Sequence, residues 1–265
     1  MNAYIKTLAI VLSILGFGLG LTGCASTMYQ AQRSPEQFSL RFGEKAVRIE
    51  VPMPSETLLD RYSIGTGFLL SSNTGVTCFH VVNGRVKDKL IKAYIAGQEH
   101  DLKIVGENVE LDIVVFRIDP PVSTKLVLQK SDVQLDLGQM IQVLGFPLPS
   151  VILDKYPSVT GGIVSGLNRS IICDGERIDG LIQVDAVSSN GNSGGPVITI
   201  DGRSVGMVVF AATGQRAEWR GATFALPIKV VEEAAQDIID RATHQEKRQS
   251  KEMSGPSSVK NLITK

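Results

Sequence analysis

From Tyr62 onward the chain alternates short apolar runs rich in Val, Ile, Leu, Phe and Thr with breaks of Gly, Asn, Asp and Pro. The runs fall at Ile64–Leu70, Gly75–Phe79, Leu90–Ala96, Leu102–Gly106, Ile113–Ile118, Met140–Gly145, Ser158–Leu167, Leu181–Ala186, Val197–Ile200, Ser204–Phe210 and Ala222–Leu226. So many closely spaced strands, without helical patterns of about ten residues between them, predict an antiparallel all-β sandwich or barrel and disfavour a β/α fold. Near the end the period changes. After Pro227, Ile228, Val231, Ala235, Ile238 and Ala242 recur at helical spacing with charged residues between, predicting one helix whose apolar stripe packs on the barrel. From His244 the chain is Lys-, Ser- and Gln-rich without periodicity, so residues 244–265 are expected to form a disordered tail. Residues 25–54 are polar except for Ala46–Val51 and read as a tether with one edge strand.

The opening residues read as targeting. Lys6 precedes an apolar run from Leu8 to Leu21, shorter than the roughly 20 residues a spanning helix needs. Leu21-Thr22-Gly23-Cys24 resembles the bacterial lipobox. That resemblance implies a signal peptide over 1–23, lipidation of Cys24 and, with Ala25 next, an outer-membrane anchor facing the periplasm. With Cys24 lipidated, Cys78 and Cys173 remain. An exported protein permits a bridge between them, but both lie in apolar strand-like runs, and two buried thiols are the favoured reading. Lys+Arg and Asp+Glu are equal at 27 each, which argues against a nucleic-acid partner.

Gly191-Asn192-Ser193-Gly194-Gly195-Pro196 is a tight turn that presents one hydroxyl and runs straight into an apolar strand. Glycines let such a loop fold back and aim backbone N–H groups at one point, as acyl transfer requires of the donors that meet a developing oxyanion. A serine hydroxyl also needs a base, and the base needs a partner to hold its tautomer. Of the three histidines, His100 follows a polar turn and His244 lies in the tail, whereas His80 closes a strand-turn-strand unit and is the candidate base. Asp112 opens the apolar run Ile113–Phe116, where a buried acid can be fixed, while Asp101, Asp119 and Asp136 sit in polar turns. Taken alone, Asp112 also suits a plain strand-start turn.

Together these segments resemble the trypsin-like serine peptidases, and more closely their HtrA-like bacterial branch. The resemblance is carried from about Tyr62 to Ala242 by Gly65-Thr66-Gly67-Phe68, Thr77–Val82, Leu111–Val115, Gly145-Phe146-Pro147, Val159–Ser165, Asp185-Ala186, Asn190–Pro196 and Thr223–Ile228. It implies a double six-stranded antiparallel β-barrel with a C-terminal helix over residues 55–243, the site lying in the cleft between barrels. It further implies His80 as general base, Asp112 as its orienting acid, Ser193 as nucleophile, and the N–H groups of Gly191 and Ser193 as oxyanion hole, with neither cofactor nor metal. Val187, six residues before the serine, would floor the specificity pocket, and Val208, Val209 and Phe210 would line it and pair with an extended substrate. An apolar Val187 implies cleavage after small aliphatic residues.

Some features depart from that branch. The residues after the helix are too few for the PDZ domain many relatives carry, so activation through such a module in cis is not expected. Asn192 stands where digestive relatives have an aspartate, so an ion pair to a cut N-terminus is not expected either. Relatives form trimers through N-terminal segments, and this one is short and weakly apolar, leaving the oligomeric state open. The function implied is a lipid-anchored envelope endopeptidase acting on unfolded or extended proteins. A catalytically latent peptide-binding or scaffold lipoprotein and an esterase are the competing readings.

Overall fold

The computed structural model describes residues 42–54, 62–131, 134–147, 156–173, 176–211 and 221–253. The expected signal segment over 1–23, Cys24 and residues 254–265 lie outside them. Twelve strands form two closed six-stranded antiparallel barrels, the first in the order β1-β2-β3-β6-β5-β4 and the second β10-β11-β12-β9-β8-β7.

The first barrel uses β1 (Ala46–Pro52), β2 (Tyr62–Leu69), β3 (Thr74–Thr77), β4 (Ile91–Ile95), β5 (Gln98–Asn108) and β6 (Ile113–Asp119). β1 corrects the expectation of a tether reaching residue 54. It pairs along its length with β2 and also with β4, so it closes the barrel. Its alternation explains why: Val47, Ile49 and Val51 point inward and are fully buried. Phe116 fills the centre, and two glycines make room for it. A Cβ at Gly75 would lie 2.5 Å from the Phe116 ring and one at Gly67 3.1 Å from it.

His100 also departs from expectation. The β4–β5 hairpin turns on only Ala96 (φ +49°) and Gly97 (φ +79°), so the strand restarts at Gln98 and carries His100 into the barrel wall opposite Ala93. There it is 6% exposed, and neither ring nitrogen has a hydrogen-bond partner among the described residues.

The second barrel uses β7 (Met140–Gly145), β8 (Ser158–Cys173), β9 (Glu176–Val184), β10 (Pro196–Thr199), β11 (Ser204–Ala211) and β12 (Thr223–Pro227). Its core gathers Val143, Val164, Val184, Val197 and Val208. The linker between barrels is stitched to it, Ser131 N–H donating to Ser204 O and Ser204 N–H to Gln129 O.

A one-turn helix, α1 (Phe79–Val82), follows β3, and a long one, α2 (Ile228–Met253), follows β12. α2 packs on β5 and β6 of one barrel and β11 and β12 of the other, so it clamps the two together. Val231, Ala235 and Ile238 are buried beneath it, each Val or Ile contributing about 1.5–3 kcal/mol by full burial. The helix continues to Met253, past the expected boundary at residue 243. His244 to Lys251 are exposed along it. These residues are mostly Gln, Glu, Lys and Arg, strong helix formers that extend a nucleated helix without any packing partner. Among the described residues no helix is long and apolar enough to cross a membrane.

Candidate active site

α1 exists to start at one place. Its first N–H groups have no partner within a single turn, and Asp112 supplies both. Phe79 N–H donates to the Asp112 backbone carbonyl at 3.1 Å, and His80 N–H to Asp112 Oδ1 at 2.9 Å. The second carboxylate oxygen, Oδ2, lies 2.7 Å from His80 Nδ1. A carboxylate only accepts, so the neutral ring carries its hydrogen on Nδ1 and leaves the Nε2 lone pair free. Asp112 holds this position with φ +55°, a left-handed backbone that aspartate tolerates better than most residues. Its side chain is 15% exposed and that of His80 is 49% exposed, so the acid is sheltered and the base faces outward.

The serine turn comes from the other barrel and is pinned by Thr66 of β2. Thr66 N–H donates to Ser193 O at 2.9 Å, and its hydroxyl donates to Gly191 O at 2.6 Å while accepting from Phe146 N–H at 3.1 Å. One buried side chain thus joins β2, the serine turn and the end of β7. Gly191 (φ +99°) and Gly194 (φ +81°) give the turn its shape. A Cβ at Gly194 would lie 2.5 Å from Thr77 Oγ1 and 2.9 Å from Cys78 N, so the turn sits directly on the strand end that leads to His80. Gly194 N–H donates to Val208 O at 2.8 Å. Among the described residues, the N–H groups of Gly191 and Ser193 and the Ser193 hydroxyl make no hydrogen bond.

The arrangement therefore brings His80 and Asp112 into one dyad and seats the Ser193 turn on the strand that precedes it. The residues expected to line the specificity pocket are less gathered. Val208 and Val209 are buried and Phe210 is half-buried against Phe224, but the Val187 side chain is 66% exposed. The backbone on either side of that position is fixed, Thr160 Oγ1 donating to Val187 O and Thr223 Oγ1 to Ala186 O. Asn192 is buried, and among the described residues its Oδ1 has no donor.

Two residues near the site were not assigned a role in the sequence. Thr66 lay within the Gly-Thr-Gly motif, but only the fold reveals its three bonds. Cys78, two residues before His80, is a free and fully buried thiol whose Sγ donates to Val208 O at 3.3 Å. Burial first, then the charge and hydrogen bonding of Asp112, push that thiol well above its ordinary pKa. It is held protonated and is no nucleophile at neutral pH.

Two barrels with a histidine–carboxylate pair on one and a Gly-Asn-Ser-Gly-Gly turn on the other define the trypsin-like class. Residues 65–207 match the family model of the trypsin-like peptidase domain, and the chain belongs to that family. It is 33% identical over 222 residues to a probable periplasmic serine endoprotease DegP-like of Halomonas elongata, covering 80% of this chain and 42% of that protein. To the periplasmic pH-dependent serine endoprotease DegQ of Escherichia coli it is 29% identical over 219 residues, covering 81% and 44%. The chain thus spans less than half the length of these curated relatives. Among solved structures, an HtrA-type protease AlgW with tripeptide shares the fold with a TM-score of 0.65 and 24% identity, over 79% of this chain and 64% of that one. A protease of M. tuberculosis in its active form does so with a TM-score of 0.61 and 20% identity, over 74% and 81%.

Proposed function

We propose that the chain is a serine endopeptidase of the bacterial cell envelope. Ser193 Oγ attacks the peptide carbonyl, His80 Nε2 takes its proton and returns it to the leaving amine, and Asp112 holds the ring and stabilises the imidazolium. The N–H groups of Gly191 and Ser193, without partners of their own among the described residues, meet the oxyanion. The observation that carries the reading is the 2.7 Å contact from His80 Nδ1 to Asp112 Oδ2, which leaves the Nε2 lone pair free to accept a proton.

Periplasmic relatives support the envelope location; the Leu21-Thr22-Gly23-Cys24 motif supports Cys24 as lipid anchor, and the proposed substrates are unfolded or extended proteins. Val187 offers no carboxylate to a basic side chain, so cleavage follows small aliphatic residues such as Val or Ala. Efficient cleavage after Arg in a peptide library would reject that preference. Hydrolysis itself is tested by fluorophosphonate labelling of the purified protein beside Ser193→Ala and His80→Ala. Labelling that disappears in both variants is expected; labelling that survives in Ser193→Ala would refute the assignment.

The second reading is a latent protease fold that binds peptide without turning it over. Two observations favour it: the Ser193 hydroxyl makes no hydrogen bond to His80, and the buried Asn192 Oδ1 lacks a donor among the described residues. Catalytic bonds are often long before substrate binds, so the endopeptidase reading is preferred. A well-folded wild type that resists the probe would select the latent one.

A further inference from the structure

We propose that Cys78, His80 and Asp112 form a binding site for a thiophilic divalent cation, Zn2+ or Cd2+, and that filling it switches off the hydrolysis proposed above. The switch rests on that functional reading; the binding site does not. It departs from the metal-free expectation drawn from the sequence.

The three side chains offer one sulfur, one nitrogen and one oxygen, all within 4.8 Å of one another. A tetrahedral Zn2+ takes bonds of about 2.3 Å to sulfur and about 2.0–2.2 Å to nitrogen and oxygen, which places ligand atoms roughly 3.3–3.7 Å apart. His80 Nδ1 and Asp112 Oδ2, now 2.7 Å apart, must open by roughly 0.6–1 Å to reach that spacing. Rotation of the His80 ring supplies the change, because that side chain is 49% exposed and gives the cation its path inward. Cys78 is anchored behind it, and its thiol gives up the bond to Val208 O. The fourth position is left for water, as in open zinc sites.

Charge and protons balance. Cys78 releases one proton to solvent, and the thiolate and carboxylate together neutralise the dication, so the half-buried site passes from the single negative charge of Asp112 to neutrality. The His80 proton moves from Nδ1 to Nε2, since a neutral imidazole bound through one nitrogen carries hydrogen on the other. Nε2 then donates and cannot accept the Ser193 proton. The base is lost without any residue being modified. Mg2+ and Ca2+, which prefer all-oxygen shells, do not suit this donor set.

The test is a Cd2+ titration of the purified full chain, followed by the ultraviolet absorption of the cadmium–thiolate bond, on wild type, Ser193→Ala, Cys78→Ala, Cys78→Ser and His80→Ala. Fluorophosphonate labelling rates with and without Zn2+ or Mg2+ run in parallel, each variant compared with itself and its fold checked by circular dichroism. The band should rise equally in wild type and Ser193→Ala, fall in both Cys78 variants to what Cys24 and Cys173 contribute, and require roughly tenfold or more Cd2+ in His80→Ala. Zn2+ should slow wild-type labelling on the order of 10²-fold, the scale of losing a general base, and Mg2+ should leave it alone. A band of full size in folded Cys78→Ala, or none in wild type, would overturn the site. A wild type that shows the band but never labels would uphold the site, and reject both the switch and the hydrolase reading beneath it.

Discussion

Replacing Asp112 by Asn changes one atom, and the geometry dictates which way the new amide must face. His80 backbone N–H, a donor that cannot change its role, points at Oδ1 from 2.9 Å. The amide oxygen must therefore stay there, and the NH2 group takes the Oδ2 position 2.7 Å from His80 Nδ1. Two donors cannot face each other, so the ring moves its proton to Nε2 and loses the lone pair that would accept from Ser193. The fold has no reason to suffer, because asparagine tolerates the φ of +55° at this position at least as well as aspartate. In serine proteases this tautomer error lowers kcat by about 10⁴, equivalent to about 5.4 kcal/mol of barrier. The assay compares labelling rate and peptide turnover with the urea midpoint of the same preparation. A variant with wild-type stability and turnover within tenfold of wild type would refute the tautomer argument and the choice of acid.

Thr66→Val keeps the side-chain shape but strips the partners from Gly191 O and Phe146 N–H. It should cost about 1–3 kcal/mol for each buried group left unpaired, read as a lower urea midpoint that Thr66→Ser restores; an unchanged Val variant would contradict this. Gly194→Ala places a Cβ against Thr66 O, Thr77 Oγ1 and Cys78 N at a φ of +81°. Labelling should fall about 10²–10³-fold, the effect of losing an oxyanion donor, and a rate near wild type would show that the turn is not fixed. Ile238→Ala, on the buried face of α2 and 2% exposed, should cost about 2–5 kcal/mol in chemical denaturation, whereas deleting the chain from residue 244, exposed through Lys251, should barely move the midpoint. Asp201 is held below its usual pKa by the Thr199 hydroxyl and then by Arg203. A depressed carboxylate stabilises the fold above its unfolded pKa and loses that contribution as pH falls through the folded value. The stability gap between wild type and Asp201→Asn should thus be present at neutral pH and close in acid; a gap that widens in acid would reverse the sign.

The strands are readable because each apolar run is bounded by turn residues, and each of the twelve overlaps a run that the pattern marks. β1 reads only as an edge strand because it stands apart from the others in sequence, beyond a polar stretch. Only its pairing with both β2 and β4 reveals it as the closing strand. His100 was misread because its turn spends only Ala96 and Gly97, which leaves the polar Gln98 and Glu99 inside a strand. The far half of α2 has the Lys, Gln and Glu content of a disordered tail as well as of a solvated helix, and composition does not separate the two. At the site, the Gly-Asn-Ser-Gly-Gly turn, His80 and Asp112 stood out by residue type and order. Thr66 and Cys78 did not, because their roles depend on partners 80 to 130 residues away in the chain.

The most direct measurement is to react the purified protein with a fluorophosphonate and locate the adduct by mass spectrometry. One adduct per chain, on Ser193, absent from His80→Ala, is the predicted result. An adduct on any other residue, or none on a well-folded wild type, would contradict the assignment of Ser193 as a nucleophile activated by His80.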